Sequence, residues 1–122
     1  MAHIINLKTI SDERGSLTVV EDRDLPFKIK RVFYLHSLTK GETRGKHRHK
    51  KTIQAMICMN GYCEVYNNNG KKEEKFILDS PDKCLILEPE DWHSMSNFGK
   101  NCVIQVLSSE YFDPNDYIYE PY

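Results

Sequence analysis

The sequence lacks long hydrophobic runs, an excess of either charge and a signal-like amino terminus. Its apolar stretches cover only a few residues, whereas a membrane-spanning helix needs roughly 20. Seventeen Lys and Arg residues against eighteen Asp and Glu residues give a net charge of −1, so no global field attracts nucleic acid or anionic lipid. The start, MAHIINLKTI, has no basic head followed by an apolar stretch. We therefore expect a cytoplasmic protein with neither a nucleic acid nor a membrane as partner.

The sequence also lacks any CxxC pair. Each of its four cysteines lies inside an apolar, strand-like run: Cys58, Cys63, Cys84 and Cys102. Buried free thiols behave as small hydrophobic side chains, and a cytoplasmic compartment keeps them reduced. The pattern favours four structural thiols over disulfides or a zinc site.

No window of 12 or more residues keeps a helical period, and 122 residues are enough for one domain, 1–122. Short runs rich in β-branched and aromatic residues alternate with turn residues, which is typical of a sandwich or a small barrel. The predicted strands are 16–21, 29–35, 52–59, 62–67, 74–79, 83–88 and 102–108. Asn60-Gly61 and Asn68-Asn69-Gly70 predict two hairpins. The fold class is all-β.

The segment that carries chemistry is GETRGKHRHKKTIQ, residues 41–54. Residues two apart in a strand point to the same face, so His47 and His49 project together. If that face lines a barrel interior, His93 could join them from a later part of the chain. The alternative is that both histidines belong to a solvated basic run, KHRHKK.

The spacing of this segment resembles the first cupin motif, G(X)5HXH(X)4E(X)6G, with Gln54 in place of the glutamate. A shortened second cupin motif resembles residues 89–97 and contains His93. The resemblance implies a cupin jelly-roll barrel. Metal-binding cupins use the missing carboxylate as a ligand, and an amide oxygen is a poorer ligand for a divalent transition metal. We therefore expect no metal at this site.

A wider resemblance covers nearly the whole chain. The matching segments are ERGSL (13–17), PFKIKRVFYL (26–35), RGKHRHKK (44–51), NG (60–61), LDSP (78–81), WHSM (92–95) and LSSEYFDPNDYI (107–118). They resemble the nucleotide-sugar 3,4-ketoisomerases, cupins also described as WxcM-like, which act on dTDP-4-keto-6-deoxyglucose. Membership implies an isomerase without metal or other cofactor that works as a strand-exchanged homodimer. Its product is expected to feed an aminotransferase that makes 3-amino-3,6-dideoxyhexoses for surface polysaccharides such as lipopolysaccharide.

The resemblance also implies residue roles. His47 is the candidate base that removes the C3 proton, His49 a relay or orienting group, and Tyr34 a proton donor, although their acid and base assignments stay open. Arg14, Arg31 and Arg44 lie in matching motifs, and the planar fork of arginine suits a diphosphate. Gln54 and His93 complete the expected substrate-binding set.

The C4 configuration of the product is a separate prediction. The combination of Arg14 and His93 resembles the members of the family that form a galacto-configured product on the route to Fuc3N.

Two other classes of function fit parts of the sequence. A non-catalytic cupin would bind a nucleotide sugar without exchanging any ring proton. A metal-dependent cupin oxygenase or a sugar 3,5-epimerase would use the same barrel, but an epimerase pairs its base with a carboxylate. No Asp or Glu lies within 44–54 to make that pair locally.

Overall fold

Two five-stranded antiparallel sheets and a separate two-stranded ribbon make up the computed structural model, which describes all residues from 1 to 122. The strands are β1 (His3–Asn6), β2 (Lys8–Asp12), β3 (Gly15–Val19), β4 (Arg31–Leu35), β5 (Arg44–His49), β6 (Gln54–Asn60), β7 (Cys63–Asn68), β8 (Glu73–Leu78), β9 (Lys83–Leu87), β10 (Trp92–Ser96), β11 (Val103–Ser108) and β12 (Tyr117–Ile118). The helical content is two 3₁₀ turns, Asp22–Asp24 and Pro114–Asp116. The all-β prediction is confirmed.

The first sheet has the order β1-β9-β6-β11-β4 and is buried on both faces at its centre. Its inner face contributes Met56, Leu85 and Ile104 to the main core. Its outer face contributes Ala55 and Ile86 to a second core. Burial on both faces explains why the central strands β6 and β9 read as continuous apolar runs rather than as alternating ones.

The second sheet has the order β12-β5-β10-β7-β8. It packs its inner face on the main core through Val65 and Leu78, near the sulfur atoms of three cysteines. All four cysteines are buried free thiols, as expected. The strands β5 and β10 carry polar side chains on their inner faces, including His47 and His93, because these faces border a cavity.

The predicted hairpin at Asn60-Gly61 is wrong. The chain turns there, but β6 pairs with β9 and β11 in the first sheet, whereas β7 pairs with β8 and β10 in the second. Gly61 has a φ of +77°, and a Cβ there would lie 3.1 Å from the backbone oxygen of Lys100. The glycine therefore lets the chain pass from the first sheet to the second in close contact with the segment around Lys100. The other predicted hairpin, around Gly70, is confirmed by the β7–β8 pairing.

The ribbon formed by β2 and β3 pairs with no other strand. Every residue of β2 is exposed, and the large apolar side chains of Ile10 and Leu17 are 52% and 58% exposed. The outer face of β4, the edge strand of the first sheet, also exposes Val32 and Tyr34. No helix in the structure is long and apolar enough to cross a membrane. The cytoplasmic location stays a prediction.

Candidate active site

A cavity of about 240 Å³ lies between the two sheets and is bordered by the paired strands β5 and β10. Both sheets and the carboxyl-terminal segment contribute to its lining. The lining residues are Arg31, Phe33, Leu35, Arg44, Gly45, His47, Gln54, Met56, His93, Met95, Val106 and Tyr117. Five of the eight predicted site residues are among them: Arg31, Arg44, His47, Gln54 and His93.

A β-bulge in β5 sets the position of His47. His93 pairs with His47 and Ser94 pairs with Gly45, so Lys46 has no partner on β10. Gly45 and Lys46 both have positive φ angles, +87° and +63°. A Cβ on Gly45 would lie 3.0 Å from the backbone oxygen of His93, so a glycine is needed for the close approach of the strands. The bulge redirects the strand at the rim of the cavity.

The three imidazole rings of His47, His49 and His93 form one cluster. The His47 ring centroid lies 5.0 Å from each of the other two, and the His49 and His93 centroids are 6.3 Å apart. Tyr117 from β12 packs on the cluster, with its ring centroid 4.7 Å from those of His47 and His49. The shared face expected for His47 and His49 is therefore present.

Burial keeps these imidazoles neutral. It lowers the pKa of His47, and together with the neighbouring His47 it lowers the pKa of His49 to about 4 and that of His93 to about 3. A neutral imidazole has one nitrogen free to accept a proton. The cluster can therefore take a proton from a bound substrate at neutral pH.

The Nδ1 atoms show which nitrogen is free. Nδ1 of His47 lies 3.1 Å from the carbonyl oxygen of Gly45, and Nδ1 of His93 lies 3.0 Å from that of Asp91. A carbonyl oxygen only accepts hydrogen bonds, so Nδ1 donates in both cases and Nε2 is left with its lone pair.

Side-chain ligand atoms lie close enough together to share a metal ion at one place in the structure, outside the cavity lining. The one group of three or more His, Cys, Asp or Glu residues with ligand atoms all within 4.8 Å of one another is Glu88, Glu90 and Asp91. These carboxylates lie around the amino group of Met1. The imidazole cluster is not such a group, and Gln54 is buried beside it with an amide instead of a carboxylate.

Two arginines give the cavity a positive rim. Arg31 makes no ion pair, and its guanidinium carbon lies 4.4 Å from the ring centroid of Phe33 and 5.2 Å from that of Phe112. Arg44 precedes the bulge and also makes no ion pair. Unpaired guanidinium groups beside a cavity can bind an anion such as a diphosphate.

The structure does not bring Tyr34 or Arg14 into the cavity of the same chain. Alternation along β4 points Arg31, Phe33 and Leu35 inward, which leaves Tyr34 on the outer face with 63% exposure. The role of proton donor predicted for Tyr34 therefore has no support from its position in a single chain. Arg14 lies at the tip of the ribbon, where it pairs with Asp12 at 2.6 Å.

His49 is not itself a lining residue but is buried directly behind His47. Sequence reasoning missed two residues that complete the cluster, Asp116 and Tyr117. Both lie in the segment LSSEYFDPNDYI, which was one of the motifs that resemble the family. The motif marked the segment as important, but it did not show that the segment packs on the histidines.

Comparisons with known proteins identify the family of the chain. A family model described as "FdtA: WxcM-like, C-terminal" matches residues 1–122. A TDP-4-oxo-6-deoxy-alpha-D-glucose-3,4-oxoisomerase from Aneurinibacillus thermoaerophilus is 44% identical over 116 residues, which are 94% of this chain and 84% of that protein.

Solved structures show the same relationship. A mutant of the 3,4-ketoisomerase QdtA from Thermoanaerobacterium thermosaccharolyticum, in complex with TDP-4-keto-6-deoxyglucose, is 39% identical with a TM-score of 0.94, over 98% of this chain and 87% of that one. The TDP-quinovose 3,4-ketoisomerase WlaRB from Campylobacter jejuni is 38% identical with a TM-score of 0.93, over 98% and 92% of the two chains. The chain therefore belongs to the WxcM-like family of sugar 3,4-ketoisomerases.

Proposed function

We propose that this protein converts dTDP-4-keto-6-deoxy-D-glucose to a dTDP-3-keto-6-deoxyhexose inside a cupin jelly-roll barrel. The observation that carries the proposal is the cluster of neutral imidazoles at a cavity with two unpaired arginines at its rim. The relatives named for this type of reaction, at 38–44% identity, support it.

The reaction needs proton transfer alone. An imidazole takes the proton from C3 of the sugar, and the electron pair forms a C3–C4 double bond while the C4 carbonyl oxygen gains a proton, which gives the enediol. A proton is then delivered to C4 while the C3 hydroxyl loses its proton and becomes the ketone, so atoms and electrons balance without an oxidant. His47 is the best-placed base, because it lines the cavity and its Nε2 is free.

The size of the cavity indicates how the substrate lies. A volume of about 240 Å³ is below the range of roughly 300–1,000 Å³ that encloses drug-sized ligands. The sugar ring therefore occupies the cavity, and the nucleotide extends past its rim. Arg31 and Arg44 at the rim are positioned to bind the diphosphate between the two parts.

We further propose that two chains form a homodimer by exchanging their ribbons. A two-stranded ribbon is marginally stable on its own, and this one exposes Ile10 and Leu17. Edge strand β4 offers an unpaired edge and an exposed outer face with Val32 and Tyr34. Pairing of one chain's ribbon with its partner would bury both surfaces. It would also bring Arg14 to the substrate bound by the other chain.

A mixed dimer tests this arrangement. Chains carrying R14A and chains carrying H47N are each expected to form dimers of low activity. If Arg14 acts across the dimer, the mixed dimer contains one site with both native residues and recovers activity. If Arg14 acts within its own chain, both sites of the mixed dimer are defective and no activity returns. Sedimentation of the wild-type protein as a monomer would refute the dimer itself.

For the product we propose the galacto configuration at C4, on the route to Fuc3N. The support is the combination of Arg14 with His93, whose ring faces the cavity 5.0 Å from His47. The relative named for TDP-quinovose is 38% identical, so overall identity does not select the product. In H₂O, an axial C4 hydroxyl gives a small H4–H5 coupling, and an equatorial one gives a large coupling.

The reaction is tested by a proton NMR time course with dTDP-4-keto-6-deoxyglucose in D₂O with EDTA. We expect deuterium at C3 or C4 and new resonances of a 3-keto product. Deuterium at C5 would indicate a 3,5-epimerase. No exchange with tight binding would indicate a binding cupin, and activity restored by added metal would indicate a metal enzyme.

A further inference from the structure

A buried carboxylate in the carboxyl-terminal segment reaches into the imidazole cluster. Asp116 is 4% exposed and lies 67 residues after His49 in the chain. It is the last residue of the 3₁₀ turn Pro114–Asp116. Asp113 caps the start of this turn, because its side chain accepts a hydrogen bond from the backbone N–H of Asn115. The turn therefore fixes the direction from which Asp116 enters the site.

Four donors surround the Asp116 carboxylate. Oδ1 accepts hydrogen bonds from the backbone N–H groups of Lys50 at 3.2 Å and Lys51 at 2.9 Å. Oδ2 accepts one from the Thr52 hydroxyl and lies 3.0 Å from Nδ1 of His49. Burial opposes ionisation, but the hydrogen bonds from Thr52, Lys51 and His49 hold the pKa of this carboxyl below its usual value. The group is therefore a fixed anion at neutral pH.

An ionised carboxylate only accepts hydrogen bonds, so Nδ1 of His49 carries the hydrogen. Nε2 of His49 then keeps its lone pair, and this atom is buried without a hydrogen-bond partner in the chain. The ring it belongs to packs on His47 and on Tyr117. We propose that Asp116 is a positioning residue for His49: it fixes the ring and holds it as the Nδ1–H tautomer, with Nε2 ready to accept a proton beside His47.

This role rests on the proposed proton-transfer function, and charge explains why the reaction needs it. When an imidazole of the cluster takes the substrate proton, a positive charge forms in a buried site. His49 faces His47 on its own strand, His93 on β10, Arg31 on β4, and Tyr117 and Asp116 on the carboxyl-terminal segment. The guanidinium of Arg31 disfavours a positive charge on these imidazoles. Asp116 is the one anion among the groups, so its carboxylate stabilises that positive charge. The same arrangement of a carboxylate behind a histidine orients the base in serine proteases.

The tautomer is measured directly in the wild-type protein. Long-range ¹H–¹⁵N correlation spectra of the histidine side chains at pH 7.5 separate protonated from unprotonated ring nitrogens. We expect His49 to show a protonated Nδ1 and an unprotonated Nε2. A His49 ring with its hydrogen on Nε2, or one that averages between tautomers, would overturn the proposal. This measurement needs no substrate, so it stands even if the proposed reaction is wrong.

The variants D116N and E120Q then link the tautomer to turnover. Glu120 lies four residues further along the same segment and is exposed, so E120Q removes the same charge without touching the cluster. We expect D116N to lower kcat about 100-fold, with KM changed less than about threefold, and to mix the His49 tautomers. E120Q is expected to keep kcat, KM and the tautomer of the wild type.

Two outcomes would count against Asp116 as a positioning residue. A folded D116N protein with native kcat, or with reduced kcat but an unchanged His49 tautomer, would show a purely structural carboxylate. If D116N fails to fold, T52V takes its place, because it removes one donor from Oδ2 and leaves the charge. For T52V we expect a smaller downfield shift of the His49 Nδ1–H proton than in the wild type, and a loss of kcat smaller than that expected for D116N. If neither the proton shift nor kcat changes, the proposal is overturned.

Discussion

His93 lies directly opposite His47 across strands β10 and β5, with the two ring centroids 5.0 Å apart. The residues are 46 positions apart in the chain, and the bulge at Gly45 and Lys46 sets their register. The ring of His47, which lines the cavity, therefore lies between two other imidazoles. His93 is on the neighbouring strand and His49 is on the same strand.

Replacing His47 removes the proposed base. We expect H47N to lower kcat about 10³-fold, because general base catalysis contributes factors of roughly 10² to 10⁴. Deuterium incorporation into the sugar ring, followed by NMR, measures the loss. H36N is the matched control, since His36 is exposed and does not line the cavity. Native exchange by H47N would assign the base to another residue.

The buried histidines make stability depend on pH in a defined window. Their folded-state pKa values lie below 6.5, at about 4 for His49 and about 3 for His93, so the unfolded chain binds more protons at mildly acidic pH. The free energy of unfolding is therefore expected to fall as pH drops from about 6.5 towards 4, by up to about 1.4 kcal/mol per pH unit for each histidine. Urea unfolding at several pH values measures this slope.

The control for that slope is a comparison of H93Q with H36Q. H93Q removes one buried titrating group and is expected to flatten the dependence, whereas H36Q replaces an exposed histidine outside the cluster and serves as the matched control. Asp116 does not contribute in this window, because its lowered pKa affects stability only below about pH 4. A wild-type slope near zero between pH 6.5 and 4.5 would contradict the neutral buried cluster.

Arg31 is expected to act on binding more than on chemistry. It carries an unpaired charge at the cavity rim between Phe33 and Phe112. Loss of charge-assisted hydrogen bonds to a diphosphate costs about 1.5–3 kcal/mol, so R31A should raise KM about 10- to 100-fold. Steady-state kinetics and calorimetric titration with dTDP check this. R23A, which changes an exposed arginine far from the cavity, should behave like the wild type.

Tyr117 replaces Tyr34 as the tyrosine expected to matter for turnover. It is the one tyrosine that lines the cavity, and its ring contacts both His47 and His49. We expect Y117F to lower kcat about 10- to 100-fold if its hydroxyl moves a substrate proton, and Y34F to stay within about twofold. The opposite result, with Y34F impaired and Y117F native, would return the proton-donor role to Tyr34.

The sequence by itself predicted the all-β class and most of the strands, because apolar runs with period two and turn residues are local properties. The seven predicted strands leave out β1, β2, β5, β10 and β12. The strands β5 and β10 were missed because their polar inner faces do not alternate with apolar residues. It also took Asn60-Gly61 for a hairpin. A turn signal shows where the chain reverses, but the choice between sheets depends on which strands offer apolar partners.

For the site, the HxH spacing and the family resemblance predicted which histidines and arginines carry the chemistry, because residue type and alternation can be read from the chain. The packing of the strands places Tyr34 on the outer face and Arg14 apart from the cavity of its own chain. The same packing brings Asp116 and Tyr117 onto the imidazole cluster. These placements depend on contacts between residues as much as 67 positions apart. Such contacts form because packing buries the carboxyl-terminal segment against β5, and no local pattern in the sequence specifies that.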